Sequence, residues 1–459
     1  MAQGVFDVAV VGAGVVGCAI ARRFSIDGAR VLILERAHDV LDGASKGNSA
    51  ILHTGFDAPE GSLELDCIRA GYAEYREIHA RMNLPLDPCG ALVLAWAEEQ
   101  QAALPGLMVQ AAANGVGDVE MLDRAALLAL EPQLAPEVRA GFRVPGEALI
   151  DPWSAAHAYL YQAIQHGAEL LLRAELLTAE RQADRWRLHT SAGSIEAGLV
   201  VNAAGLWGDH VERILTGESW FQIRPRKGQF ILYDKPAAAL AGHILLPVPT
   251  KLTKGVVVCR TIFGNLLVGP TAEEQEDRED ASVVPATLEA LRQNGETILP
   301  ALAGQEVTAF YAGLRPASEE KAYRIRADLE RGLVTVGGIR STGLSAALGI
   351  AQHVARLAGR APGVARDWPE MPVLAQDGAR DWQAPGNGGI VCHCELVTRR
   401  EIAAALEGPA PAQSLAGLKR RTRVTMGRCQ GFYCSAELAR LTEGRFTQPM
   451  LAVAVDHAG

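Results

Sequence analysis

The chain has 459 residues, of which 49% are hydrophobic and 21% charged, with a formal net charge of -9. That length allows two or three domains. The acidic balance, with no long Lys/Arg run, argues against a nucleic-acid binder. The one basic cluster, Lys419-Arg420-Arg421 with Arg423, is short and reads as solvated surface. No uninterrupted apolar run reaches the ~18 residues of a membrane span. An apolar strand begins at Phe6 and Gly12 follows soon after, which leaves no room for a secretory signal. The expectation is a cytoplasmic protein with at most peripheral membrane association.

Asp7-Val8-Ala9-Val10-Val11 reads as a buried strand, followed by Gly12-Ala13-Gly14-Val15-Val16-Gly17 and a helical pattern through Ile20 and Phe24. Arg30-Val31-Leu32-Ile33-Leu34-Glu35 reads as a second strand. Gly12 permits the tight turn, Gly14 lets the backbone approach a pyrophosphate, and Gly17 lets the helix pack close to the strand. A pyrophosphate is favoured at the helix N-terminus by free N–H groups and the dipole. Glu35 is placed to accept from ribose hydroxyls and would repel a 2′-phosphate, so NADP is disfavoured. Only one such fingerprint occurs, whereas a protein holding both FAD and NAD in Rossmann halves needs two. Two distant segments look built to return to the same ligand. One is Leu199-Val200-Val201-Asn202-Ala203-Ala204-Gly205-Leu206-Trp207. The other is the glycine turn of residues 333–344, followed by a helix over 345–357. Together they favour FAD.

Strand-like runs such as Gly90-Ala91-Leu92-Val93-Leu94 and Phe230-Ile231-Leu232-Tyr233 predict a mixed or antiparallel substrate sheet capping the ligand. The fold class is therefore α/β. The expected division is an oxidoreductase domain over 1–376, a Gly/Asp/Pro-rich linker over 377–388, and a small helical module over 389–445. Within the first, FAD-binding parts fall at about 1–85, 198–219 and 317–376, and substrate-domain parts at about 86–197 and 220–316.

Four of the eight cysteines sit in the last module: Cys392 and Cys394 as C-x-C, then Cys429 and Cys434 as C-x4-C. Four thiolates suffice for a [2Fe–2S] cluster. Zinc ribbons and knuckles usually use C-x2-C pairs, which neither pair matches. A Rieske centre needs two histidines, and only His393 is near. Reduced structural cysteines would leave the paired spacing unexplained. Thr398 caps a predicted helix over 398–406, and Ser414 caps another.

The chain resembles the D-amino-acid-oxidase-type superfamily of FAD oxidoreductases, in its glycerol-3-phosphate and L-2-hydroxyglutarate dehydrogenase branch. The likeness rests on the glycine fingerprint and on Ala44-Ser45-Lys46-Gly47-Asn48-Ser49-Ala50-Ile51-Leu52-His53-Thr54-Gly55. Pro59-Glu60-Gly61-Ser62-Leu63, Arg224-Pro225-Arg226-Lys227-Gly228-Gln229, the segment 264–271 and Ala312-Gly313-Leu314-Arg315-Pro316 add to it. The last module is similar to bacterioferritin-associated-ferredoxin-like [2Fe–2S] domains, with all four cysteines present.

The resemblance implies FAD contacts from Gly12, Gly14, Gly17, Glu35, Arg36, Ser45, Asn48, Ser49, Ala204, Gly205, Gly338, Arg340, Thr342, Gly343 and Leu344. Cys392, Cys394, Cys429 and Cys434 would be the cluster ligands. It implies oxidation of a small anionic secondary alcohol, glycerol 3-phosphate first, with hydride passing to flavin N5. The alternatives are a 2-hydroxy acid such as L-2-hydroxyglutarate, an amino acid or amine, and a role confined to electron transfer within a larger complex. Histidine suits the base, since its ordinary pKa of ~6.5 lies near working pH. His53 is either that base or only a hydrogen-bond partner of flavin or backbone. Arg315 either meets the substrate anion or sits in a structural ion pair, with Arg340 as second choice. Lys251 and Lys254 read as a solvated loop. A cluster beside a flavin implies that electrons leave singly, to an electron-acceptor protein or partner oxidoreductase; the alternative is a structural or docking role for the cluster.

Overall fold

The computed structural model describes residues 4–249, 255–387, 389–448 and 450. Lys251 and Lys254 lie outside the described residues. The elements that build the site run, in chain order, β1 (Val5–Val11), α1 (Val15–Ile26), β2 (Val31–Leu34), α2 (Leu63–Ile78), α3 (Pro152–Gln165), β3 (Gly193–Asn202), β4 (Arg226–Tyr233), β5 (Val307–Arg315), β6 (Leu333–Gly337), α4 (Gly343–Leu357) and α5 (Leu415–Thr422).

Runs rich in Val, Ile, Leu and Ala make β2, β6 and the second half of β1 strands that bury both faces, as a parallel sheet flanked by helices requires. Parallel pairing joins β6 to β3, β3 to β1, β1 to β2, and β2 to Glu169–Leu171. Helices α1, α3 and α4 pack together on this sheet. Two glycines let α2 and α4 touch through their backbones. A Cβ on Gly71 would lie 2.1 Å from the Ser345 carbonyl oxygen, and one on Gly349 would lie 2.1 Å from that of Cys67.

The division of the chain differs from expectation in one place. The strands Glu169–Leu171, Leu176–Arg181, Trp186–Thr190 and β3 pair in the first sheet, and α3 packs on α1, although residues 86–197 were expected in the substrate domain. The alternating pattern of these strands fits either sheet, and only pairing with β1 and β2 decides it.

A second, mixed sheet holds β4, β5, Ala91–Ala95 and six further strands, with apolar cores on both faces. A third, three-stranded sheet pairs Ile51–Leu52 antiparallel with Ala148–Ile150.

The C-terminal module has its own core, including Val391, Ile402, Leu418, Val424 and Leu438. Thr398 caps the helix Arg399–Glu407 in a capping box with Glu401, and Ser414 caps α5. The basic cluster is not solvated surface: Arg420, Arg421 and Arg423 are buried. Arg421 pairs with buried Asp39 at 2.9 Å, and the same carboxylate accepts from the Gln413 N–H at 2.9 Å. Arg420 donates to the Val40 carbonyl at 2.9 Å. That carbonyl lies 380 residues upstream of its arginine, so sequence alone does not reveal the pairing. The linker is also held, because buried Arg380 reaches the Leu374 and Glu395 carbonyls and Glu401.

Candidate active site

A cavity of about 950 Å³ runs between the first two sheets. At one end, the β1–α1 turn lies against the β3 turn. Gly12 has φ +107°, and a Cβ there would lie 2.6 Å from the Ala203 carbonyl oxygen. Gly17 crosses directly over Gly12, where a Cβ would meet the Gly12 oxygen at 1.9 Å. The start of α1 thus reaches the cavity through glycines that put no side chain in the way. Glu35 is pinned by both oxygens, which accept from the N–H groups of Ala13 (2.8 Å) and Ala37 (2.9 Å). Burial raises its pKa, and those two N–H bonds oppose the rise. Each carboxylate oxygen keeps a lone pair for a ribose hydroxyl. The Arg36 guanidinium lies 4.3 Å from the Trp207 ring centroid. These features fit the adenosine diphosphate half of FAD.

Further along, the Ser45 hydroxyl accepts from the Val15 N–H at 3.0 Å, and Gly47 presses on Gly313 of β5. The N-terminus of α4 faces the cavity through Thr342, Gly343 and Leu344. Its first turn fixes the next segment, since the Ser345 hydroxyl accepts from the His53 N–H at 2.8 Å. The Ile51–Leu149 and Leu52–Ala148 register carries on to set His53 opposite Glu147. His53 Nδ1 lies 2.8 Å from the fully buried Glu147 carboxylate, whose other oxygen accepts from the Thr54 N–H and hydroxyl. An acceptor on Nδ1 fixes the proton there and leaves Nε2 as the basic nitrogen.

Arg226, Arg315 and Arg340 are among the arginines that line the same cavity. Arg226 of β4 is the direct cross-strand partner of Arg315 of β5, and Arg340 follows the β6 turn. Like charges directly opposed destabilise a sheet. Glu274, 3.2 Å from Arg226, offsets part of that repulsion. Burial, then Arg226 and Arg340, lower the Arg315 pKa to about 10, which still leaves it charged near neutrality. Gly228 makes the space for it, because a Cβ there would lie 2.2 Å from the guanidinium. Arg315 donates to the Thr271 carbonyl at 2.6 Å. A bound anion would relieve the repulsion that remains.

Nearly all the residues expected at the cofactor meet in this cavity: Gly12, Gly14, Glu35, Arg36, Ser45, Asn48, Ser49, Ala204, Gly205, Arg340, Thr342, Gly343 and Leu344, with His53 and Arg315. Gly17 and Gly338 lie behind its wall. Gly17 packs on Gly12, and Gly338 turns the chain at φ +65° against Arg324. Sequence reading missed Glu147 and assigned no role to Arg226. Nothing local marks Glu147, whereas a second arginine in Arg224-Pro225-Arg226, inside a strand pattern, was a usable signal.

In the C-terminal module the thiols stand in two neighbouring pairs, Cys394 with Cys429 and Cys392 with Cys434. The N–H groups of Tyr433, Gly431 and Phe432 point at the Cys429 sulfur, and the Tyr433 bond contributes most to lowering its pKa. The Thr425 N–H points at the Cys434 sulfur. Leu396, Arg423, Thr425, Gln430 and Gly431 all adopt positive φ around them, and Gly427 gives room to Cys394. The Thr425 hydroxyl and an Arg423 nitrogen are buried without an acceptor among the described residues. Burial raises the Cys394 thiol and pushes the Cys434 thiol up to about 12. Four cysteines in two pairs, ringed by inward N–H groups and spare donors, fit a binuclear iron–sulfur cluster.

The chain belongs to the DAO family of FAD-dependent oxidoreductases, whose family model matches residues 7–357. A second family model, the BFD-like [2Fe-2S] binding domain, matches residues 390–443. FAD and a [2Fe–2S] cluster are the cofactors of these two families. The chain is 30% identical over 467 residues to glycerol 3-phosphate dehydrogenase from Caloramator mitchellensis, covering 99% of this chain and 97% of that protein. It is 28% identical over 362 residues to glycerol 3-phosphate oxidase from Mycoplasma pneumoniae, covering 76% of this chain and 94% of that protein. It is also 25% identical over 498 residues to one subunit of the anaerobic glycerol-3-phosphate dehydrogenase from Escherichia coli (strain K12), covering 95% and 88%. Among solved structures it resembles dithionite-reduced L-alpha-glycerophosphate oxidase from Mycoplasma pneumoniae with FAD bound. The TM-score is 0.76 at 27% identity, over 81% of this chain and 100% of that one. Among the described residues no helix is long and apolar enough to cross a membrane.

Proposed function

We propose that this protein is an FAD-dependent dehydrogenase that oxidises the secondary alcohol of glycerol 3-phosphate to a ketone and passes the electrons on through its [2Fe–2S] cluster. The observation that carries this reading is the meeting, in one cavity, of the His53–Glu147 pair with the opposed arginines Arg226 and Arg315. The relatives named for glycerol 3-phosphate support the choice of substrate.

Arg315, with Arg226 and Arg340, holds the phosphate, and its planar fork suits two oxygens at once. His53 Nε2 accepts the hydroxyl proton as the C–H bond breaks. Glu147 holds the ring in the tautomer that leaves Nε2 free and stabilises the imidazolium that forms. FAD, when bound, supplies the acceptor for the hydride. Glu35 and the α1 N-terminus would hold the adenosine end, and the Ser45–Ser49 loop would line the flavin. Cys392, Cys394, Cys429 and Cys434 would ligate the cluster, which would supply one-electron transfer to an acceptor protein or partner oxidoreductase.

The test is anaerobic mixing of the holoenzyme with glycerol 3-phosphate, L-2-hydroxyglutarate or an amino acid. Rapid loss of the flavin absorption band with glycerol 3-phosphate alone is expected. Bleaching by the hydroxy acid or the amino acid instead would replace the substrate assignment, and bleaching by none would sink the dehydrogenase reading. Iron and acid-labile sulfide in equal amounts support the cluster, and zinc in their place overturns it.

A further inference from the structure

We propose that electrons cross from the flavin site to the cysteine cluster along one packed row of side chains, Trp153, Phe263 and Arg423. This rests on the reading above that the cluster accepts the electrons. The row begins at the cavity wall. Lys46 lines the cavity within the loop assigned above to the flavin, and its carbonyl accepts from the Trp153 indole N–H at 3.3 Å. Trp153 stacks on Phe263, with ring centroids 5.6 Å apart and planes 14° from parallel. The Arg423 guanidinium lies over the Phe263 ring, 3.9 Å from its centroid. Arg423 Nε then donates to Glu395 at 2.9 Å, and Glu395 is the residue after Cys394.

Three features set this row apart from ordinary interface packing. Arg423 is only 2% exposed, so its charge is taken out of water at a cost that a hydrophobic residue would avoid. It also adopts φ +67° as the residue ending α5, a conformation that favours glycine. Three other arginines of the module already anchor it, Arg420 and Arg421 to residues 39–42 and Arg428 to Asp234. Electron tunnelling weakens steeply with distance, and more steeply across gaps than through atoms in contact. A row in van der Waals contact between the two sites is therefore the favoured medium.

The substrate gives up a hydride to FAD and its hydroxyl proton to His53. Two electrons then leave reduced FAD one at a time. Each converts one ferric ion of the oxidised cluster to ferrous, and each passes to an external one-electron acceptor protein before the next arrives. The protons are released to solvent.

The experiment follows two signals in the holoenzyme after anaerobic mixing with glycerol 3-phosphate: flavin bleaching by stopped flow, and cluster reduction by freeze-quench electron paramagnetic resonance. Phe263→Ala opens a gap in the row and is expected to slow cluster reduction by about tenfold or more, with flavin bleaching unchanged. Phe263→Leu refills most of the gap and is expected to restore the rate. Trp153→Leu, at the end away from the module, is expected to slow the same step. Iron and sulfide content, the cluster potential and hydrogen-exchange protection of α5 are expected to stay at wild-type values. A merely structural role would change them. Cluster reduction at the wild-type rate in both Phe263→Ala and Trp153→Leu overturns the route alone. A wild-type cluster that stays oxidised while the flavin bleaches overturns the route together with the reading beneath it.

Discussion

Glu147 is buried with no exit to water, and its carboxylate is met by three donors of one short segment: the His53 ring, the Thr54 N–H and the Thr54 hydroxyl. On the proposed reading it orients His53, so Glu147→Gln is expected to cut the rate of flavin bleaching about 100-fold with FAD content unchanged. The bleaching rate against substrate concentration checks it, and an unchanged limiting rate would remove Glu147 from the chemistry. Arg315→Lys keeps a positive charge but loses the fork. The expected loss is about 2 kcal/mol, or roughly 30-fold in KM, with a smaller change in kcat. Steady-state kinetics check it, and a KM equal to wild type would free Arg315 from the substrate anion. His53 and Arg315 were legible in sequence because each stands in a short motif. Glu147 was not, because its role depends on a cross-strand register between residues 94 apart.

At the scale of elements, α3 carries a histidine that the chemistry does not use. His157 is buried, and its Nδ1 meets the Trp153 carbonyl at 2.8 Å. Burial first, then Arg421, hold its pKa well below the ordinary value. The folded protein refuses a proton there that the unfolded chain accepts once pH falls below ~6.5. Stability is therefore full above that value and declines as pH falls from it toward the depressed folded pKa. Replacing His157 with Gln is expected to flatten this decline. Melting temperatures of both proteins between about pH 7.5 and about pH 5.5 measure it, and equal slopes would refute the assignment. The βαβ unit was legible because hydrophobic runs and three glycines each do a local job. The membership of strands 169–197 was not, since an alternating strand carries no mark of which sheet will take it.

At the scale of the molecule, the C-terminal module is held by charge taken out of water. Arg421→Ala would leave Asp39 buried and uncompensated, at an expected cost of about 3–5 kcal/mol. Thermal unfolding followed by both the flavin and cluster absorption bands checks this, with the cluster band lost first. A melting point equal to wild type would show that the Asp39 pair holds nothing. The four cysteines marked the module in sequence, but not its seat, because residue 39 and residues 413–421 carry no sign of each other. That seat also dictates the order in which the protein can be made. The loop at residues 39–42 leaves the ribosome early and waits, with the Asp39 carboxylate short of its arginine, until nearly the whole chain has followed. One of the last helices to emerge therefore completes a contact begun beside the first strands. Synthesis that stops short of residue 413 leaves the flavin half without the arginines that meet that loop. An unfinished chain thus shows bare acid where the finished one shows a closed seam.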